Sequence, residues 1–368
     1  MMTIFKNFVA GLVLVVLAFA ASVTQAQDNK SMTVGKATIT VGSGMVLMML
    51  PDTSSMLTQG PNNAATDFPV VEQFKFSDDF NKTGWNVNAS IAIPVYRTTL
   101  SLNGFWANIK GKSSFACTPQ AGGLCAIMPL VDNPAIMQVQ GVISGGGAFG
   151  GQLLTDSERE VDNWGIALES KWELNKRFLG WPLAPNSHYL TVGLDIRGIY
   201  QDLDAKILGT SASAFVVTYK ENLKATYYGP YLAWGGDYSP FLFKNWGLDF
   251  SFRLRGGVYY AYTDYDGHLN NSGPIIGGGG NPTSALSLSS SDIAFIGGLT
   301  LGIGKQLGTR TRLSLNGGFE YYSYLPKMIY NTADQNPNPF LTGRHFGTRI
   351  GNDNAFSINI GLALTIQL

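Results

Sequence analysis

Charged side chains recur along this chain at spacings of two and four residues. Glu169, Lys171 and Glu173 form one row, Asp195 and Arg197 a second, Asp249, Arg253 and Arg255 a third, and Arg312 and Glu320 follow. On an extended strand, residues two or four apart point the same way, so each row lines a single face and mixes both signs. Such rows can stiffen an interior with salt bridges, or set the local potential of a polar passage. They do not spell a catalytic centre. Only three histidines exist, His188, His268 and His345. No spacing ties one of them to a serine, and nucleophilic catalysis of Ser-His type needs that base beside its hydroxyl. The expectation is no catalytic residue, no cofactor and no metal. Asp264, Asp266 and Asn270 resemble the start of a calcium loop but lack its bidentate glutamate. The glycine runs Gly145–Gly147 and Gly277–Gly280 precede neither Lys-Ser/Thr nor a helix, so they are loops and not phosphate cradles.

The elements that must position these rows are strands. From Ala355 to Leu368 the alternation is unbroken: Phe356, Ile358, Ile360, Leu362, Leu364, Ile366 and Leu368 are apolar, and the positions between are polar or small. That period-2 pattern makes one long strand with one apolar face. Ordinary strands run about 5–6 residues, whereas a tilted strand crossing a bilayer needs roughly 9–11. Similar stripes run through Val70–Ser77, Trp85–Ile93, Thr98–Trp106, Trp164–Trp172, Leu190–Tyr200, Pro230–Tyr238, Trp246–Tyr262, Ile293–Ile303 and Leu313–Tyr321. Ten strands result, with an eleventh and twelfth possible in Gln27–Thr66 or in the connection Lys110–Glu160. Pro230 is awkward inside a central strand, because it cannot donate to the ladder.

The closing stripe resembles the C-terminal strand of bacterial outer-membrane β-barrels, which the barrel-assembly machinery reads, although there the last residue is usually aromatic. The resemblance covers Asp67 to Leu368 and implies an all-β fold, an antiparallel up-and-down transmembrane barrel of about 10–12 strands. Connection lengths agree with it. Short links at Pro94–Tyr96, Asn175–His188, Ser239–Asn245 and Gly304–Thr309 alternate with long ones at Lys110–Glu160, Asp202–Asn222, Tyr265–Ser290 and Leu325–Asp353. Outer-membrane barrels keep short turns in the periplasm and long loops outside, which places both termini in the periplasm. Tyr200, Tyr227, Tyr228, Tyr259, Tyr260, Tyr262, Tyr321, Tyr322 and Tyr324 fall toward the long loops, and Trp172, Tyr238 and Trp246 toward the short turns. Two such groups are expected to form the aromatic belts of a bilayer's two interfaces.

The N-terminus gives the same address. Lys6, an apolar run from Phe8 to Ala21 and small residues around Ala26 read as a signal peptide over residues 1–26. Residues 27–66 are expected to be a periplasmic N-terminal segment, an extra hairpin or a plug, and 67–368 the barrel. No later apolar run reaches 18 residues. Charged residues make up 14%, aromatics 12%, and glycines number 44, a composition suited to a wall that faces lipid. In an exported chain, Cys117 and Cys125 are expected to form a disulfide that closes a loop. Zero formal net charge leaves no electrostatic footprint for nucleic acid.

The charged rows must then face the lumen, since on the lipid side a charge at the midplane costs roughly 2–4 kcal/mol. Eight strands leave a lumen just filled by side chains, and 16–18 leave an aqueous channel. The expected function is a passive pathway for small solutes in the outer membrane. The alternative is a non-transporting structural or adhesive surface barrel acting through its loops. The expected partners are outer-membrane lipid and the assembly machinery, with small solutes possible.

Overall fold

The computed structural model describes residues 36–51, 53–61, 72–76, 83–96, 98–118, 123–127, 143–144, 152–174, 187–209, 215–238, 246–271, 284–330, 332–333, 345–346 and 348–368. The signal peptide reading lies outside them. Ten of the described strands close into one antiparallel barrel: β1 Thr38–Met49, β2 Thr83–Val95, β3 Thr98–Cys117, β4 Leu153–Leu174, β5 Ser187–Gly209, β6 Phe215–Tyr238, β7 Leu248–Asn271, β8 Ser284–Gln306, β9 Thr311–Ile329 and β10 Arg349–Gln367. Each pairs with the next in sequence, and β10 returns to β1. The chain's two described ends meet at one rim, where the Leu368 amide donates to the Ala37 carbonyl at 2.9 Å. At the closing seam Gly44 stands opposite Gly361, and a Cβ on Gly44 would lie 2.1 Å from the Ile360 carbonyl oxygen. The two backbones meet there only because neither residue has a side chain.

Two boundaries differ from the sequence reading. The first barrel strand is Thr38–Met49, inside the segment expected to stand apart, so the barrel begins well before Asp67. The stripe at Val70–Ser77 supplies no barrel strand. Glu72–Phe76 instead joins Thr53–Pro61, Gly123–Ile127 and Ile143–Ser144 in a four-stranded sheet, built from the connections that follow β1 and β3. Pro230 does sit inside β6, with its ring outward. The ladder to β7 skips Gly229 and Pro230, while the ladder to β5 runs through them. The missing donor is absorbed on one side only.

The strands are also longer than their outward apolar stripes. β6 and β7 each hold 24 residues, which span ~60 Å along the barrel axis at ~3.4 Å per residue and ~40° tilt. The apolar band of an outer-membrane barrel is only about 25 Å tall. The expected long connection Asp202–Asn222 is therefore mostly strand, with only residues 210–214 between β5 and β6. The reason is a reversal of polarity partway along. On β5, Leu190, Val192, Leu194 and Ile196 face out while Asp195 and Arg197 face in. Beyond Tyr200 the charged Asp202, Asp204 and Lys206 face out, and the buried Leu203, Ala205 and Ile207 face in. β7 repeats this: Leu254, Val258 and Tyr260 are exposed outside, then Asp264, Asp266 and His268 take the outer face. The half nearest the short turns presents an oily wall to lipid. The far half presents a charged wall to water and carries an apolar core of its own, which includes Leu203, Ile207, Val217, Tyr265, Leu269 and Met328.

The tyrosines divide accordingly. Tyr228, Tyr260 and Tyr262 are exposed outward at the boundary, as an interfacial belt requires. Tyr227, Tyr259, Tyr322 and Tyr324 are buried inward, so four of the nine tyrosines expected in the outer belt form an inner ring.

Candidate functional site

The lumen of the bilayer half holds the charged rows. Glu169 on β4, Asp195 and Arg197 on β5, Arg253 and Arg255 on β7 and Glu320 on β9 join in one network. Arg197 reaches Asp195 at 2.5 Å and Glu320 at 2.6 Å, Arg255 reaches Asp195 at 2.5 Å, and Arg253 reaches Glu169 at 2.8 Å. Three guanidiniums thus meet three carboxylates. Tyr231 and two tyrosines of the inner ring, Tyr259 and Tyr322, complete the shell. Tyr231 donates to Glu169 at 2.5 Å, Tyr322 to Glu320 at 2.5 Å, and Tyr259 to Asp195 at 3.2 Å. The Arg255 guanidinium lies 4.3 Å from the centre of the Tyr231 ring, a cation–π contact. Room for Tyr231 comes from Gly193, whose added Cβ would strike that ring at 2.3 Å.

Several of these contacts cross the barrel instead of following its wall. β5 and β9 stand four places apart in a ring of ten, and β4 and β9 five. Asn163 on β4 nevertheless donates to the Tyr322 hydroxyl at 3.4 Å, and Arg197 donates to it at 3.3 Å. Above them Gln201 donates to the Pro326 carbonyl at 3.2 Å, and Tyr227 to that of Tyr324 at 3.0 Å. Highest of all, Glu221 accepts hydrogen bonds from Tyr219 and Tyr330, and Tyr219 and Tyr265 are 2.9 Å apart at their hydroxyls. This knot lies beyond the bilayer half. Burial raises the Glu221 carboxyl above its ordinary range, opposed by the two tyrosine hydroxyls and by the charge of Arg159.

The other charged residues stand outside the network. Lys171 faces inward and lies 3.9 Å from the centre of the Tyr189 ring. Glu173 is exposed near the short-turn rim of β4, and Asp249 lies near the same rim of β7. Arg312 covers Gly304 from the neighbouring strand. Cys117 and Cys125 are disulfide-bonded and buried, joining the end of β3 to the four-stranded sheet. His188, near the short-turn end of β5, stacks on Trp234 at 6.1 Å, whereas His268 is exposed on the far half of β7. The two cannot share one site. Asp264, Asp266 and Asn270 lie along the outer face of β7, in a strand and not in the loop that calcium ligation needs. Among the described residues, no group of three His, Cys, Asp or Glu could hold a metal ion.

Beside the network is a cavity of about 190 Å³ lined by Asn86, Asn88, Phe105, Asn163, Arg253, Arg255, Thr300, Ser357 and Asn359, among others. Asparagines at alternate positions of β2 place two amides on its wall. Sequence reasoning missed this side of the lumen because Asn, Ser and Thr there carry no charge and read as the polar half of any strand.

No family model matches the sequence, and no curated protein matches it. Among solved structures it is similar to the outer membrane protease OmpT from Escherichia coli, at 11% identity and a TM-score of 0.42, covering 92% of this chain and 98% of that one. It is also similar to the translocator domain of autotransporter NalP from Neisseria meningitidis, at 9% identity and a TM-score of 0.36, covering 99% of both chains. A Pseudomonas aeruginosa FadL homologue gives 8% identity and a TM-score of 0.23, covering 90% of both. A barrel is a scaffold on which unrelated activities sit. The closed ring of ten antiparallel strands, its oily outer band and its charged lumen are those of a bacterial outer-membrane β-barrel.

Proposed function

We propose that this protein works as a non-conducting surface barrel of the outer membrane, without enzymatic activity, and acts through the charged wall and connections that its far half carries beyond the lipid. The observation that carries this reading is the set of chords across the lumen, above all Arg197 to Glu320 and Asn163 to Tyr322. A ten-stranded barrel is only slightly wider than one whose side chains fill it, and here long side chains from opposite walls meet. An apolar core then seals the far half. The experiment is conductance in a planar bilayer. The wild-type barrel is expected to give no steady current, and stable ohmic channels would overturn the reading.

A second reading, a pathway for small solutes, is favoured by the polar cavity beside the network. It requires the chords to part. Conductance that appears only when Arg197 and Glu320 are both replaced by uncharged residues would favour it.

A further inference from the structure

We infer that the lumen cavity is a binding site for a small, uncharged polyhydroxylated solute of about monosaccharide size, whether or not the barrel conducts. The size comes first. A volume of about 190 Å³ is of the same order as an engineered cavity of about 150 Å³ that holds one benzene, which suits a solute of one six-membered ring.

Charge comes second. The guanidiniums of Arg197, Arg253 and Arg255 are already matched by Glu169, Asp195 and Glu320. A bound anion or cation would leave one unbalanced charge beside this matched set, which costs more than seating a neutral solute there. An uncharged solute leaves the balance intact.

Hydrogen-bonding capacity comes third. Among the described residues, Nε of Arg253, Nε of Arg255 and Oδ1 of Asn163 are buried without a partner, and all three residues line the cavity. Asn163 is only 4% exposed. Those three atoms are closed off from the cavity, so a solute's partners are the hydroxyls of Thr300 and Ser357 on its wall, each of which both donates and accepts. The amides of Asn86, Asn88 and Asn359 add donors and acceptors, and Phe105 offers an apolar ring to the C–H face of a sugar.

Access comes last. Asn88 and Thr300 face inward yet are exposed, so the cavity is open to water beside them.

The test is saturation-transfer NMR on the refolded full chain in a detergent without sugar head groups. The probes are glucose, acetate, ethylammonium and alanine. Glucose alone should receive saturation from the protein. Asn88→Leu, which removes an exposed amide from the cavity wall, should weaken glucose binding about tenfold or more. Thr300→Phe, which fills the cavity from another strand, should abolish it. Heat modifiability on gels shows that each variant is folded, and either folded variant suffices. The inference is overturned if folded wild type transfers no saturation to glucose. It is equally overturned if acetate, ethylammonium or alanine is preferred, or if glucose binds a folded variant as well as wild type.

Discussion

Arg197 on β5 and Glu320 on β9 meet at 2.6 Å across the lumen, although four strand positions separate them around the ring. The Arg197 side chain is 3% exposed and that of Glu320 18%, so solvent screens the pair little. Arg197→Met should leave Asp195 and Glu320 facing one another with Arg255 as their remaining partner. Breaking one side of a buried pair costs about 3–5 kcal/mol. Arg197→Met with Glu320→Gln should recover part of that loss. Urea titration in detergent, read by gel shift, checks both.

Arg253 and Arg255 give a second test. In a closed lumen, changing both to Glu places new carboxylates against Glu169 and Asp195. The barrel should then lose its heat-stable form at a visibly lower temperature and stay silent in a planar bilayer. Steady current with cation selectivity in this variant would instead mean that the row lines an open passage.

The closing strand predicts a depth-dependent penalty. Ile360 lies midway along β10 opposite Met45, whereas Ile366 pairs with Ile39 close to the rim. Ile360→Lys should cost about 2–4 kcal/mol and Ile366→Lys about 0–1 kcal/mol. Membrane-inserted yield after expression should rank them in that order, and equal yields would show that the outer band is misplaced.

The bridge between Cys117 and Cys125 closes a loop of eight residues' separation, worth about 2–3 kcal/mol to the segment it holds. Under denaturing, non-reducing conditions neither thiol should label with a maleimide. The Cys117→Ser, Cys125→Ser variant should expose the connection after β3 to protease on intact cells while the barrel stays inserted.

Glu221 should make the far half sensitive to pH. Its folded carboxyl titrates above the ordinary value of 4.5 because burial disfavours its charge. The stabilisation tied to its protonated form is therefore complete below that value and is lost as pH rises through the folded pKa. Protease resistance of the far half should be greater at mildly acidic than at alkaline pH. Glu221→Gln should flatten the profile, and an unchanged profile would remove Glu221 as its cause.

Most of the bilayer half was legible in the sequence, because lipid imposes a one-sided pattern that a reader can count. Leu190, Val192, Leu194 and Ile196 announce their strand directly. The far half was hidden by the same rule. When Asp202, Asp204 and Lys206 replace leucines on the outer face, the outward apolar stripe ends, although alternation continues in the opposite phase. β1 reads in the sequence only as one of the extra strands that Gln27–Thr66 could hold, for a related reason: Gly42 and Gly44 dilute its pattern, and they are there to let β10 approach. The charged rows could be assigned to the lumen from lipid cost alone. That Arg197 would find Glu320 depends on ring position, which no local spacing carries.

The reversal of polarity along the strands has a thermodynamic consequence. Residues on the oily band leave water for lipid whether or not they pack together, so folding within the bilayer gains little from the hydrophobic effect. Leu203, Ile207, Val217 and Leu269 are buried away from water instead, and that burial carries a large heat-capacity change. The two halves of one strand therefore obey different temperature laws. On cooling, the far half should loosen first while the lipid-bound half keeps its grip, giving a barrel that frays from the outside in the cold and melts as a whole in the heat.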